Sequence, residues 1–99
     1  MVFAMEPSEV GAAAVTQAGL AEQTGAGASA GAPTLLGVAP MGADADSAEF
    51  AAALAAVGAA YVATAAQHAA QRGLFSDAQA LAGETTVASE AIRAAALSL

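Results

Sequence analysis

Residues 45–83 read ADSAEFAAALAAVGAAYVATAAQHAAQRGLFSDAQALAG. Within that stretch Phe50, Leu54, Val57, Tyr61, Thr64, His68, Gln71 and Phe75 recur in steps of four and three, the 3.5-residue repeat of a helix seam. The residues between them are mostly alanine, which favours helix strongly and buries little area. A helix of this kind gains little by standing alone and much by lying against other helices. The spacing predicts an all-α chain whose second helix, about residues 46–83, carries its large side chains on one stripe.

Working outward, Pro40, Met41 and Gly42 stop whatever precedes this helix, and Asp44, Asp46 and Ser47 offer N-caps for it. Asp46 with Glu49 fits a capping box. Upstream, Pro7 suits a first helical turn and Glu9 suits the positive end of the helix dipole. Val10, Ala13, Ala14, Gln17, Leu20, Ala21 and Thr24 then keep a helical period. The Ala-Gly-Ser run at 26–31 has weak propensity, since each Gly costs about 1 kcal/mol against Ala in a helix interior. Leu35, Leu36 and Val38 follow it, so the run reads as a thin helix that admits close backbone approach, bent by Pro33. The expectation is an antiparallel two-helix hairpin with helices at about 8–38 and 46–83. Gly83 and Glu84-Thr85-Thr86 weaken the second helix, and residues 85–97 either continue it or form a short third one.

Composition says what such a hairpin needs. About a third of the 99 residues are alanine, with three Phe, one Tyr and no Trp, so a core built from this chain alone is thin. Small chains with thin cores rely on disulfides, metals or a partner. The chain has no Cys and a single His, which removes a disulfide framework and disfavours a structural zinc site. A partner is what remains.

The formal charge of −7, with Arg72 and Arg93 the sole cations besides His68, argues against nucleic-acid binding and against anionic lipid surfaces. No basic segment precedes Val2 and Phe3, and Glu6 and Glu9 interrupt the opening apolar run, so no Sec-type signal peptide is expected. Residues 50–63 read as too short for a bilayer span, and no transmembrane segment is expected.

Chemistry finds little footing. His68 sits on the stripe with Asp77 nine residues on, so it reads as a packed or interface histidine. Asp44, Asp46 and Glu49 lack the spacing of a calcium loop and read as capping residues. Gly19, Gly25, Gly27 and Gly31 follow no strand and lead to no Gly-Lys-Ser/Thr, so they form no phosphate loop. Arg72 and Arg93 read as partners for acids or as caps, with Arg93 in the last turn. No catalytic, cofactor or metal residue is assigned. The stripe itself is the candidate site, with Phe50, Leu54, Val57, Tyr61, His68 and Phe75 facing a partner. A hairpin covers only part of such a stripe, so one face is expected against the first helix and another against the partner.

Several segments together resemble the PE proteins of mycobacteria across essentially the whole chain, as a single domain of residues 1–99. Pro7 followed by Val10 to Ala14 is similar to that family's N-terminal Pro and hydrophobic-Ala-Ala stretch. Ala32-Pro33-Thr34 and Val38-Ala39-Pro40-Met41-Gly42-Ala43-Asp44-Ala45-Asp46-Ser47 resemble its Ala-Pro-Thr-Thr and Pro-x-Ala-Asp-x-Val-Ser patterns. Tyr61, Ala66-Gln67, Phe75 and Gly83 fall in register with its Tyr, Ala-Gln, Phe and Gly. Two positions depart: Ser8 separates Pro7 from Glu9, and Thr86 stands where the Tyr-x-x-x-Asp/Glu export motif has Tyr, while Glu90 keeps the acid. The resemblance implies a non-enzymatic hairpin that pairs with a PPE protein to give a four-helix bundle and leaves the cell with it by type VII (ESX) secretion, ending at the envelope or outside. The alternative from residues alone is a self-associating hairpin like the small WXG-type secreted proteins, although no Trp-x-Gly turn is present.

Overall fold

The computed structural model describes residues 4–98. They form two helices, α1 (Pro7–Leu36) and α2 (Ala45–Leu97), joined by residues 37–44. The all-helical expectation holds, and the helix bounds differ in ways that have local causes.

α1 opens where Pro7 supplies a fixed φ and lacks an N–H that would go unpaired, while the Glu6 carbonyl accepts from the N–H groups of Glu9 and Val10 at 3.1 Å each. The Ala-Gly-Ser run is helical throughout. α1 ends at Leu36, two residues before the expected limit, with the Gly37 N–H donating to the Pro33 carbonyl at 2.9 Å.

α2 begins one residue early because Asp44 is the cap. Its carboxylate accepts from the Ser47 N–H at 3.0 Å and from the Ser47 hydroxyl at 2.8 Å. This replaces the expected capping box of Asp46 and Glu49: Ser47 occupies the position where the box would place its acid. α2 then runs unbroken through Gly83 to Leu97, so residues 85–97 are its continuation. A methyl built on Gly83 would lie 3.6 Å from the Pro7 carbonyl oxygen, so this glycine sits against α1 and tertiary contact offsets its poor propensity. With the helix extended to Leu97, Arg93 stands before the last turn, which holds no basic residue.

The chain divides into two compact units, one of residues 1–20 with 71–99 and the other of 21–70. In the first, the Ser76 hydroxyl donates to the Ala14 carbonyl at 2.7 Å, Arg72 Nη1 donates to Gln17 Oε1 at 3.0 Å, and Thr86 Oγ1 lies 3.2 Å from Met5 Sδ. Rising numbers on α1 meet falling numbers on α2, so the segments are antiparallel. Arg72 thus bonds a glutamine where an acid was expected, whereas Arg93 does pair with Glu90, at 2.8 Å. In the second unit, Gly25 lies beside Ala69, and Gly58 lies so close to Leu35 that a Cβ there would overlap the Leu35 carbonyl.

Small residues dominate the covered positions. On α2, Ala51, Ala55, Gly58, Val62, Ala65 and Ala69 in one unit, and Gly73, Ser76, Gln79, Gly83 and Thr86 in the other, are buried or half-buried. Among the described residues the buried apolar side chains are Ala14 (4% exposed) and Ala51 (6%), joined by the polar Ser76 (8%). Each such methyl is worth on the order of 0.8 kcal/mol.

Two predictions follow from these contacts. Gly58→Ala should lower the thermal midpoint, since overpacking costs about 1–3 kcal/mol, whereas Gly73→Ala, with open space around its Cβ, should raise it by about 1 kcal/mol of helix propensity. Circular dichroism melts of the two variants check this, and equal shifts would contradict the close approach at Gly58. The Asp44 carboxyl is held below its ordinary value of 3.8 by the Ser47 hydroxyl first and the Ser47 N–H second. A depressed carboxylate stabilises above its unfolded pKa and loses that contribution as pH falls through its folded one. The melting difference between wild type and Asp44→Ala should therefore be full near neutrality and shrink as pH drops below about 4.

Candidate partner interface

Phe50, Leu54, Val57, Tyr61, His68 and Phe75 each lie one position ahead of a covered residue, whereas Leu74, Leu81, Val87 and Ile92 are exposed off that row. Phe50, Leu54, Val57, Tyr61 and His68 in the 21–70 unit, and Gln71 and Phe75 in the other, are all exposed. One residue along an α-helix is a rotation of about 100°, so the stripe stands beside the face that meets α1 and not on it. Tyr61 is 62% exposed and Val57 68%. The expectation that one face of this stripe lies against the first helix is corrected: small residues meet α1, and the stripe residues stay exposed.

The covered row carries the same four-and-three spacing, and it was legible in principle from Ala51, Ala55, Gly58, Val62, Ala65 and Ala69. Size hid it, because a periodicity search weighted towards large apolar residues passes over a seam of alanine and glycine. α1 contributes to the outside as well, with Val15, Leu20 and Leu36 exposed.

An open apolar groove of about 330 Å³ adjoins the turn in the 21–70 unit, lined by Val38, Pro40, Met41, Phe50, Leu54 and the acid Asp46 among others. Phe50 and Leu54 thus belong both to the stripe and to this groove. Met41, which reads in the sequence only as part of a helix stop, is 92% exposed at its edge.

Thr86 and Glu90 line a more polar cleft of about 610 Å³ with Met5, Ser89 and Arg93. Thr86 is half-buried, its hydroxyl 2.9 Å from the Ala82 carbonyl and 3.2 Å from Met5 Sδ. One hydroxyl proton serves one of these at a time, and the carbonyl is the stronger acceptor. The Glu90 carboxylate is exposed and accepts from Arg93.

His68 is exposed, and among the described residues no group of three or more His, Cys, Asp or Glu could hold a metal ion. α2 is long and apolar enough to cross a bilayer by length and composition, and 11% of its most apolar window is buried. Its stretch without Asp, Glu, Lys or Arg runs from Phe50 to Gln71, longer than residues 50–63 alone suggest, and holds Gln67, His68 and Gln71.

Comparison of the chain with protein-family models, curated proteins and solved structures returns no match. The class defined by fold and surface is that of an all-helical hairpin with an uncovered apolar stripe.

Proposed function

We propose that this chain is a PE-type helical hairpin, non-enzymatic, that pairs with a PPE protein to complete a four-helix bundle and is exported with it by a type VII secretion system. The observation that carries the pairing is the row of exposed large residues, Phe50, Leu54, Val57, Tyr61 and Phe75, beside an alanine-and-glycine contact that leaves the hairpin almost without a side-chain core. Mutual burial would supply the free energy each chain lacks, so folding and pairing are coupled. The name of the partner and the export route rest on the residues that resemble the PE family, above all the turn at 38–47 and the register from Tyr61 to Glu90.

A helical partner is favoured over a bilayer because Gln67, His68 and Gln71 share the apolar stretch, and polar side chains facing lipid are costly. A wet helical interface accommodates them, and Tyr61 is suited to bury its ring there while keeping its hydroxyl at the rim.

Co-expression with the PPE protein encoded beside it, followed by light scattering, tests the pairing. The expected product is a one-to-one complex. Leu54→Asp or Val57→Asp, which places a charge on a surface to be desolvated, should abolish it; an intact complex on gel filtration would overturn the assignment of this face. A monodisperse self-associated species that ignores the PPE chain would favour the homodimer. For export, the PE family pattern has Tyr at the Thr86 position, so Thr86→Tyr should raise the secreted fraction of the pair, with a melt run beside it because Thr86 is half-buried against Met5. Glu90→Gln should lower it.

A further inference from the structure

The partner's chemistry can be narrowed further from the 21–70 unit. This unit contains Glu22, Asp44, Asp46 and Glu49 and no Lys or Arg, so it is anionic without internal compensation. Asp46 lines the apolar groove at the turn, and Glu49 stands exposed one residue before the groove-lining Phe50. Asp44 is engaged with Ser47, but among the described residues the sole ion pair is Arg93 with Glu90, in the other unit. The groove therefore combines an apolar floor from Val38, Pro40, Phe50 and Leu54 with the Asp46 carboxylate in its lining and Glu49 exposed next to Phe50, neither acid in an ion pair among the described residues.

We infer that this groove receives the apolar ridge of a partner helix flanked by Lys or Arg, the large side chain entering between Met41 and Leu54 and the cations meeting Asp46 and Glu49. A second copy of this chain fits poorly, since it would bring −7 against −7 with one arginine held by Gln17 and the other by Glu90. An anionic lipid surface is repelled on the same ground. Cations on the partner set orientation and discriminate between helices, while the apolar ridge supplies most of the affinity.

This rests on the pairing reading above, yet it can be tested without the PPE chain. Two fluorescein-labelled helical peptides share one leucine ridge, flanked by Lys in the first and Glu in the second, and anisotropy follows their binding to the full chain. The Lys peptide should bind roughly tenfold tighter at low salt, as two or three partly desolvated pairs supply, and the preference should collapse near 1 M salt, where the screening length is about 3 Å. Asp46→Asn with Glu49→Gln should remove the preference, whereas Asp77→Asn with Glu84→Gln, an equal change in net charge, should leave it. Phe50→Ala should weaken both peptides, and circular dichroism confirms that each variant keeps its helicity. Equal binding of the two peptides, binding of neither, an equal effect of the second acid pair, or displacement by phosphatidylcholine vesicles would overturn the inference. Co-purification with the PPE chain while the peptides bind equally overturns the charge rule alone. Peptide discrimination without co-purification overturns the PPE assignment alone.

Discussion

The closeness of α1 and α2 governs the other features of this protein. Gly58 leaves no room for a Cβ beside the Leu35 carbonyl, Gly83 lies against Pro7, and the Ser76 hydroxyl reaches the Ala14 backbone. The approach at Gly58 requires a residue without a side chain, and the covered row of α2 is mostly alanine, glycine and serine. Phe50, Leu54, Val57, Tyr61 and Phe75 stand on the neighbouring row. A hairpin held in this way has short contacts and little buried apolar area, and the two facts have one cause.

Stability and function then become the same question. A side-chain core limited to Ala14 and Ala51 offers only a few methyl groups against the conformational entropy of two long helices. The compensating area is present, but it faces outward along Phe50, Leu54, Val57 and Tyr61. Burying it on another helical surface would finish the fold and form the complex in one event. Asp44 acts locally, capping α2 at Ser47, in the same first turns that carry Phe50 and Leu54 to the groove.

Much of the fold was legible in the chain itself. Pro7 and Glu9 mark the first start, Pro40 to Gly42 the stop, and the Asp-rich turn the second start, because caps and breakers act through local backbone geometry. The bounds that were missed have one non-local and one local cause. Gly83 looks like a helix end until it is seen packed against Pro7. Asp44 and Asp46 are equivalent caps by residue type, and the one that lies three residues before Ser47 takes the role. The candidate interface was legible as a stripe, and its exposure was not, because spacing fixes which residues share a face and leaves open which face is covered.

The sequence by itself determined that the chain is helical, where the turn falls, that the large apolar residues of α2 share one stripe, and that the 21–70 segment carries acids without a basic residue. These follow from propensity, capping and the 3.6-residue turn, all properties of neighbours along the chain. Only the tertiary structure decided that α2 meets α1 through the row one residue later, that Gly83 sits inside a continuous helix, and that Met41, Phe50 and Asp46 border one groove. Those outcomes depend on how near two backbones can come, which is set by the smallest residues on both helices together.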